Sequence, residues 1–194
     1  MDEARARILD ATVDVLRRHG PEKTRVVDVA RALGMSHANI YRSFPSRDAL
    51  FDAVTERWLG AITDALRPIA QDRAAPAPER LERWMLTLMA LKRAKVHDDP
   101  ELFAAYHALA EERRGVVEAH LAEMARQTAA IIADGAAAGA FAVTDASRAA
   151  RLVLGAMTRY HHPMHVLEAG DADCSEEARQ TLALVLAGLR AGAI

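Results

Sequence analysis

Residues 24–51 read TRVVDVARALGMSHANIYRSFPSRDALF, and the architecture follows from how these residues divide into helices and turns. Thr24 is placed to cap a short helix whose apolar side is Val26, Val27, Val29, Ala30 and Leu33. Gly34 breaks that helix. Ser36 is placed to cap a second one, His37 to about Ser43, before Pro45-Ser46 interrupts again. Two short helices joined by a tight glycine-containing turn make a helix-turn-helix. Each residue type has a task in it: Ala30 is small at the crossing, Met35 fills the space between the helices, and Ile40 and Phe44 anchor in the core. His37, Ala38, Asn39, Tyr41 and Arg42 are left on the free face. That face is short, polar and basic, and it is led by a helix N-terminus, which favours phosphate.

Upstream, Glu3 to His19 carries Ile8, Ala11 and Val15 beside Leu9, Thr12 and Leu16, one apolar helix face, closed by Gly20-Pro21. Downstream, a long helix is expected from about Arg47 to Leu66, with Leu50, Val54, Trp58 and Ile62 as its stripe. The segment PIAQDRAAPAP, Pro68 to Pro78, reads as a linker. Helical patterns follow over Glu79–Val96, Pro100–Ala110 and Glu112–Ala138. A short extended piece, Ala140–Val143, comes next, then a helix from Thr144-Asp145 to about Leu167. A polar loop, Glu168–Cys174, precedes a last helix capped by Ser175. No stretch alternates like a strand for more than four residues. The expectation is an all-α chain of about nine helices: an N-terminal three-helix helix-turn-helix domain (1–47) and a C-terminal helical bundle (48–194), joined through the helix at about 47–66.

Composition agrees. Of 194 residues 42 are alanine, and aromatics make up 5%, which favours helix over sheet. The single cysteine, Cys174, excludes an intramolecular disulfide framework and a cysteine-rich zinc module, and favours a reduced, cytoplasmic setting. Met1 to Asp10 lacks the apolar core of a signal peptide, and no run approaches the ~18 apolar residues of a membrane span. The net charge of −2 divides unevenly. Residues 1–47 hold nine Lys/Arg and six Asp/Glu, a balance of +3, against 16 and 21, or −5, in the remainder. A basic front on an acidic body suits a polyanionic partner.

The stretch Arg7–Leu50 resembles the DNA-binding domain of TetR/AcrR-type bacterial transcriptional regulators. The words that carry the resemblance are Asp28-Val29-Ala30, Leu33-Gly34-Met35-Ser36 and Ile40-Tyr41-Arg42-Ser43-Phe44-Pro45-Ser46-Arg47-Asp48-Ala49-Leu50. The last corresponds to the family's usual YxHFxxKxxL, with Ser43 where His is common and Arg47 where Lys is common. The resemblance implies a homodimer that binds a palindromic double-stranded DNA operator, acts as a repressor, and is released by a small-molecule effector. It assigns Thr24 and Arg25 to backbone phosphates. His37, Asn39 and Arg42 go to base edges or phosphates, Tyr41 and Arg47 to phosphate clamps, with Ser36 at the head of the recognition helix. Beyond residue 50 the only echo is a Gly135…Gly139-Ala140-Phe141 turn.

The bundle offers no phosphate loop, no GxSxG, no HExxH and no paired cysteines, so no enzyme, metal or cofactor is expected. Trp84, Met85, Met89, Phe103, Tyr106, His107, Met124, Met157, Tyr160 and His161 form soft and aromatic stripes, which read either as plain core or as the lining of an apolar ligand pocket. His161 and His165 have the spacing of one helix face, but Pro163 stands between them, so a cap or contact role competes with a metal site. Leu152 and Ala156, with Leu182, Val185, Leu186 and Leu189, form stripes on the last two helices. The resemblance pairs these with a second copy; intramolecular packing is the alternative. The competing function is an all-helical small-molecule binding protein whose DNA binding is weak or lost.

Overall fold

A computed structural model of the chain describes residues 3–170 and 172–193; Met1, Asp2, Ile194 and Asp171, the last within the expected Glu168–Cys174 loop, lie outside them. Among the described residues there are eleven helices and no strand. They are α1 (Glu3–Lys23), α2 (Val26–Ala32), α3 (His37–Ser43), α4 (Arg47–Gln71), α5 (Ala77–His97), α6 (Pro100–Glu112), α7 (Arg114–Ala137), α8 (Ala146–Ala156), α9 (Thr158–His161), α10 (Pro163–Ala169) and α11 (Ser175–Ala191). No helix of the described residues is long and apolar enough to cross a membrane.

The count exceeds the expected nine because the segment expected as one helix over 144–167 is three. His162 sits in extended backbone (φ −73°, ψ 126°), the conformation that the following Pro163 imposes, and so ends α9. Pro163 then starts α10, where a missing N–H costs nothing. Pro68 does the opposite of what a linker proline would do. α4 runs through it to Gln71, because Pro68 lies on the exposed side while Leu66 and Ala70, on the other side, are buried. Ala140–Val143 has no regular secondary structure and is tied to α11 by Ala142 N–H donating to the Leu189 carbonyl at 2.8 Å. At Gly20 (φ 70°, ψ 168°) the chain kinks and one more turn follows, Pro21–Lys23.

The chain forms two compact units. The first contains the residues up to Gly60 together with Asp99–His120, so it is larger than the segment 1–47 and discontinuous in sequence. Its core joins Ile8, Leu9, Val15 and Leu16 of α1 to Val29, Ile40, Phe44, Leu50 and Val54, and α6 adds Ala105, Tyr106 and Leu109. Ion pairs fasten the rim: Arg17 to Asp99 (2.9 Å), Arg57 to Asp10 (2.8 Å), and Arg113 to Asp48 (2.8 Å). Asp99 also caps α6, accepting from Leu102 N–H at 3.0 Å.

The second unit comprises Ala61–Asp98 and the residues from Leu121 onward. Its core holds Leu81, Trp84, Met85, Leu88, Met124, Ile131 and Ile132 with Val153, Met157, Leu182, Leu186 and Leu189. Two polar groups inside are satisfied. Trp84 Nε1 donates to Gln127 Oε1 at 3.0 Å, and Gln127 Nε2 donates to the Thr63 carbonyl at 3.0 Å. Arg80, 2% exposed, donates to Asp134 Oδ2 at 2.8 Å, and this bond holds the Asp134 carboxyl below the usual carboxylate range. Gly135 serves a close approach: a Cβ there would overlap the Phe141 ring. This is the physical content of the Gly135…Phe141 echo.

Candidate nucleic-acid interface and ligand cavity

The recognition element starts from one turn. Met35 N–H donates to the Ala30 carbonyl at 3.0 Å and Gly34 N–H to the Arg31 carbonyl at 3.1 Å. That is the Schellman arrangement, and it needs a left-handed residue, supplied by Gly34 at φ +63°. The turn aims α3 with Ile40 buried and His37, Ala38, Tyr41 and Arg42 exposed. Tyr41 is 43% exposed, and its ring meets His37 edge-on, centroids 6.3 Å apart. Arg42 Nη2 donates to Asn39 Oδ1 at 2.6 Å, so these two polar side chains form one paired unit. Ser36 is the N-cap residue of α3, exposed, with no bond from its own hydroxyl into the helix.

Two other expected contact residues, Thr24 and Arg47, have partners inside the protein. Thr24 is 1% exposed, and its hydroxyl donates to the Gly20 carbonyl at 2.7 Å; the α2 cap position is taken by Arg25, which is exposed. Arg47, half-buried, donates from Nη2 to the Pro21 carbonyl at 2.6 Å and from Nε to the Thr24 carbonyl at 3.3 Å, with its guanidinium 4.3 Å over the Phe51 ring. Arg5, which the motif words do not reach, lies 4.2 Å over the Phe44 ring and donates to the Ser43 carbonyl. Arg5 and Arg47 thereby strap α1 and the α1–α2 junction to the two ends of the Ser43–Arg47 turn. Arginine suits this work, since its planar fork can stack on a ring and donate from its edge at once.

The expected pocket residues divide between the two units. Phe103, Tyr106 and His107 belong to the first: Tyr106 stacks on Trp58 (4.4 Å, 6°) and His107 on Phe103 (5.8 Å, 7°). Burial pushes the Tyr106 phenol up to about 12. Trp84, Met85, Met124 and Met157 are fully enclosed in the core of the second unit. His161 is buried too. Its Nε2–H donates to the Leu154 carbonyl at 3.1 Å, and burial lowers its pKa to about 4, so the imidazole is neutral. His165 Nδ1 instead lies 3.2 Å from Glu168 Oε2, beyond the break at His162. The two histidines therefore do not share one uninterrupted helix.

Two of the expected residues, Met89 and Tyr160, do line an opening. It is a cavity of about 260 Å³ in the second unit, walled by Leu86, Met89, Val166 and Tyr160 and rimmed by Arg93, Arg159 and Arg179. The arginines went unseen in the sequence because they are scattered over α5, α9 and α11, with no local spacing to link them.

The expected interface stripe also divides. Leu182, Leu186 and Leu189 are buried in this chain's own core, and Val185 is half-buried against it. Leu152 (46% exposed), Ala156 and Leu184 (75%) face outward.

A glycine-turned helix-turn-helix with an exposed polar recognition face, followed by a larger helical unit, defines a two-part helical DNA-binding regulator. Residues 8–54 match the bacterial regulatory proteins of the tetR family, and residues 77–182 match the tetracyclin repressor-like C-terminal domain. The chain belongs to the TetR family, whose members are regulatory proteins and not enzymes. An HTH-type transcriptional repressor of Mycobacterium tuberculosis is 32% identical over 102 residues, which cover 50% of this chain and 53% of that protein. The match thus spans about half the length of that curated relative. Among solved structures, a TetR-family transcriptional regulator from Mesorhizobium loti superposes with a TM-score of 0.72 at 17% identity, covering 97% of this chain and 96% of that one. The transcriptional regulator FadR of Bacillus subtilis, in complex with stearoyl-CoA, gives 0.64 at 18%, covering 94% and 98%.

Proposed function

We propose that the protein is a ligand-responsive transcriptional repressor, which binds a palindromic operator as a homodimer and is released by a small molecule. The observation that carries this is the face of α3. His37, Tyr41 and Arg42 stand exposed on a seven-residue helix whose aim is set by the Gly34 turn and whose C-terminal end runs into a turn strapped by Arg5 and Arg47. Such a face has the size and donor content to enter a major groove, with Asn39 suited to adenine and Arg42 to guanine. Homodimerisation puts two such helices about one DNA turn apart, ~34–36 Å, and the outward Leu152, Ala156 and Leu184 are the side chains available to pair. A repressor as relative and a ligand-bound regulator as structural neighbour support the same reading. DNA binding gives it a cytoplasmic setting.

For release, α4 is the element to watch, since this one continuous helix contributes residues to both compact units. An effector works through its differential affinity for the DNA-bound and free states, and typical couplings are ~1–3 kcal/mol. The test is fluorescence anisotropy of the protein on the DNA upstream of its own gene, with random DNA as competitor, at two salt concentrations. Binding should survive the competitor and fall with salt. Affinity equal to that for random DNA would overturn the operator reading.

A further inference from the structure

Resting on that reading, we propose that the cavity between α5, α9–α10 and the start of α11 is the effector site, and that it takes a small amphipathic anion: one carboxylate-sized charge on an apolar body. The wall and the rim differ in chemistry. Leu86, Met89 and Val166 give an apolar wall that can adapt its shape through the methionine. Tyr160 adds a ring whose hydroxyl is already paired with Thr181 Oγ1 at 3.0 Å, so it presents its apolar part to a ligand. At the rim stand three guanidiniums, Arg93, Arg159 and Arg179.

Among the described residues none of these three arginines is held in an ion pair, whereas Arg17, Arg57, Arg67, Arg80 and Arg113 all are. Arg93 donates to the Ala172 carbonyl at 3.0 Å, which orients it without neutralising it. The Asp173 carboxyl is held low first of all by hydrogen bonds from Ser175, whose amide donates at 2.9 Å, and then by Arg93 and Arg179. Among the described residues that line the cavity, three are cationic and none is anionic. Cations at an apolar mouth repel an amine and attract a carboxylate, and guanidinium gives the carboxylate a fork of donors. The volume sets the size. About 260 Å³ lies just under the ~300–1,000 Å³ of drug-sized sites and holds about nine water-sized groups at ~30 Å³ each. Bodies such as octanoate or benzoate are of this order.

The experiment uses the full chain and follows heat capacity or melting against concentration for octanoate, benzoate, octan-1-ol and octylamine. Octanoate or benzoate should bind saturably and at least tenfold more tightly than octylamine and octanol. Arg159→Gln with Arg179→Gln, two exposed positions that the fold does not need, should weaken the anion at least tenfold. Met89→Trp should abolish binding by filling the cavity, and if that variant melts early the arginine pair decides alone. Equal binding of the alcohol or the amine, or undiminished binding in the arginine pair, overturns the proposal. Anisotropy on the upstream DNA in the same preparation separates the two claims. Specific DNA binding with no anion binding leaves the regulator standing and removes this site. Anion binding without specific DNA binding keeps the site and removes the regulator.

Discussion

Arg47 donates to the carbonyl of Pro21 at 2.6 Å across 26 positions of the chain, and so a residue expected at a phosphate is a strap inside the protein. The two roles differ in their salt signature. Each phosphate contact adds ~0.9 to the slope of log affinity against log salt. Arg47→Ala is expected to lower the melting temperature of the protein and to weaken operator binding while the salt slope stays within error of the parent. A slope that falls by about one would return Arg47 to the phosphate.

Asn39 and Arg42 are expected to act together, since Asn39 Oδ1 accepts from Arg42 at 2.6 Å. Asn39→Ala and Arg42→Ala should each cost about 1–3 kcal/mol in operator affinity and relax specificity, with the double variant losing less than the sum. His37→Ala should likewise cost ~1–3 kcal/mol and release Tyr41 from its edge-on contact. Anisotropy on operator and base-substituted duplexes reads all four. Strict additivity would mean that Asn39 and Arg42 work independently.

Leu184→Glu and Leu152→Glu are expected to give folded monomers that bind a palindrome weakly. Leu186→Glu should unfold the second unit instead, since it puts a carboxylate among Leu182, Leu189 and Trp84. Sedimentation or light scattering together with circular dichroism distinguishes the outcomes. A Leu184→Glu protein that remains a dimer, alone and with Leu152→Glu, would move the interface elsewhere.

His161 makes stability fall in mild acid. Its imidazole titrates near 4 in the folded chain, chiefly through burial, against the ordinary 6.5. Between these values the unfolded state binds the extra proton, so stability declines as pH drops from 6.5 through 4, by up to about 3 kcal/mol. His161→Gln should flatten that part of the urea-midpoint profile. An unchanged profile would assign the decline to other groups.

Gly34 and Gly135 are needed for different reasons, and substitution tells them apart. Gly34→Ala is expected to cost ~1–2 kcal/mol from its left-handed backbone alone, since nothing crowds the added methyl. Gly135→Ala should cost ~1–3 kcal/mol by overpacking against Phe141, and Phe141→Leu in the same chain should recover part of it. Failure of Phe141→Leu to recover any stability would place the clash elsewhere.

What could be read in the chain was what is local. Leu33-Gly34-Met35 announces its turn because a Schellman end is made within six residues, and Ile40 and Phe44 announce the core by helical spacing. Non-local partnerships left no such mark. Arg80 and Asp134 lie 54 positions apart, and Arg17 and Asp99 lie 82 apart. The stripe Leu182, Leu186, Leu189 has the same period whether it covers its own core or a partner, so spacing alone does not say which. Pro68 looked like a break because a proline is judged by its neighbours in sequence, while α4 is held there by Leu66 and Ala70 packing on the far side.

The discontinuous first unit has a practical meaning for anyone who wants to cut and graft this protein. Tyr106 stacks on Trp58, and Ala105 and Leu109 close the core over α1 and α4. A fragment ending after α4 would keep the whole reading head yet leave that hydrophobic floor open to water. A chimera that transplants the head onto another sensor must therefore carry Asp99–His120 with it, or supply a host helix bearing a small residue, an aromatic and a leucine at the same three positions.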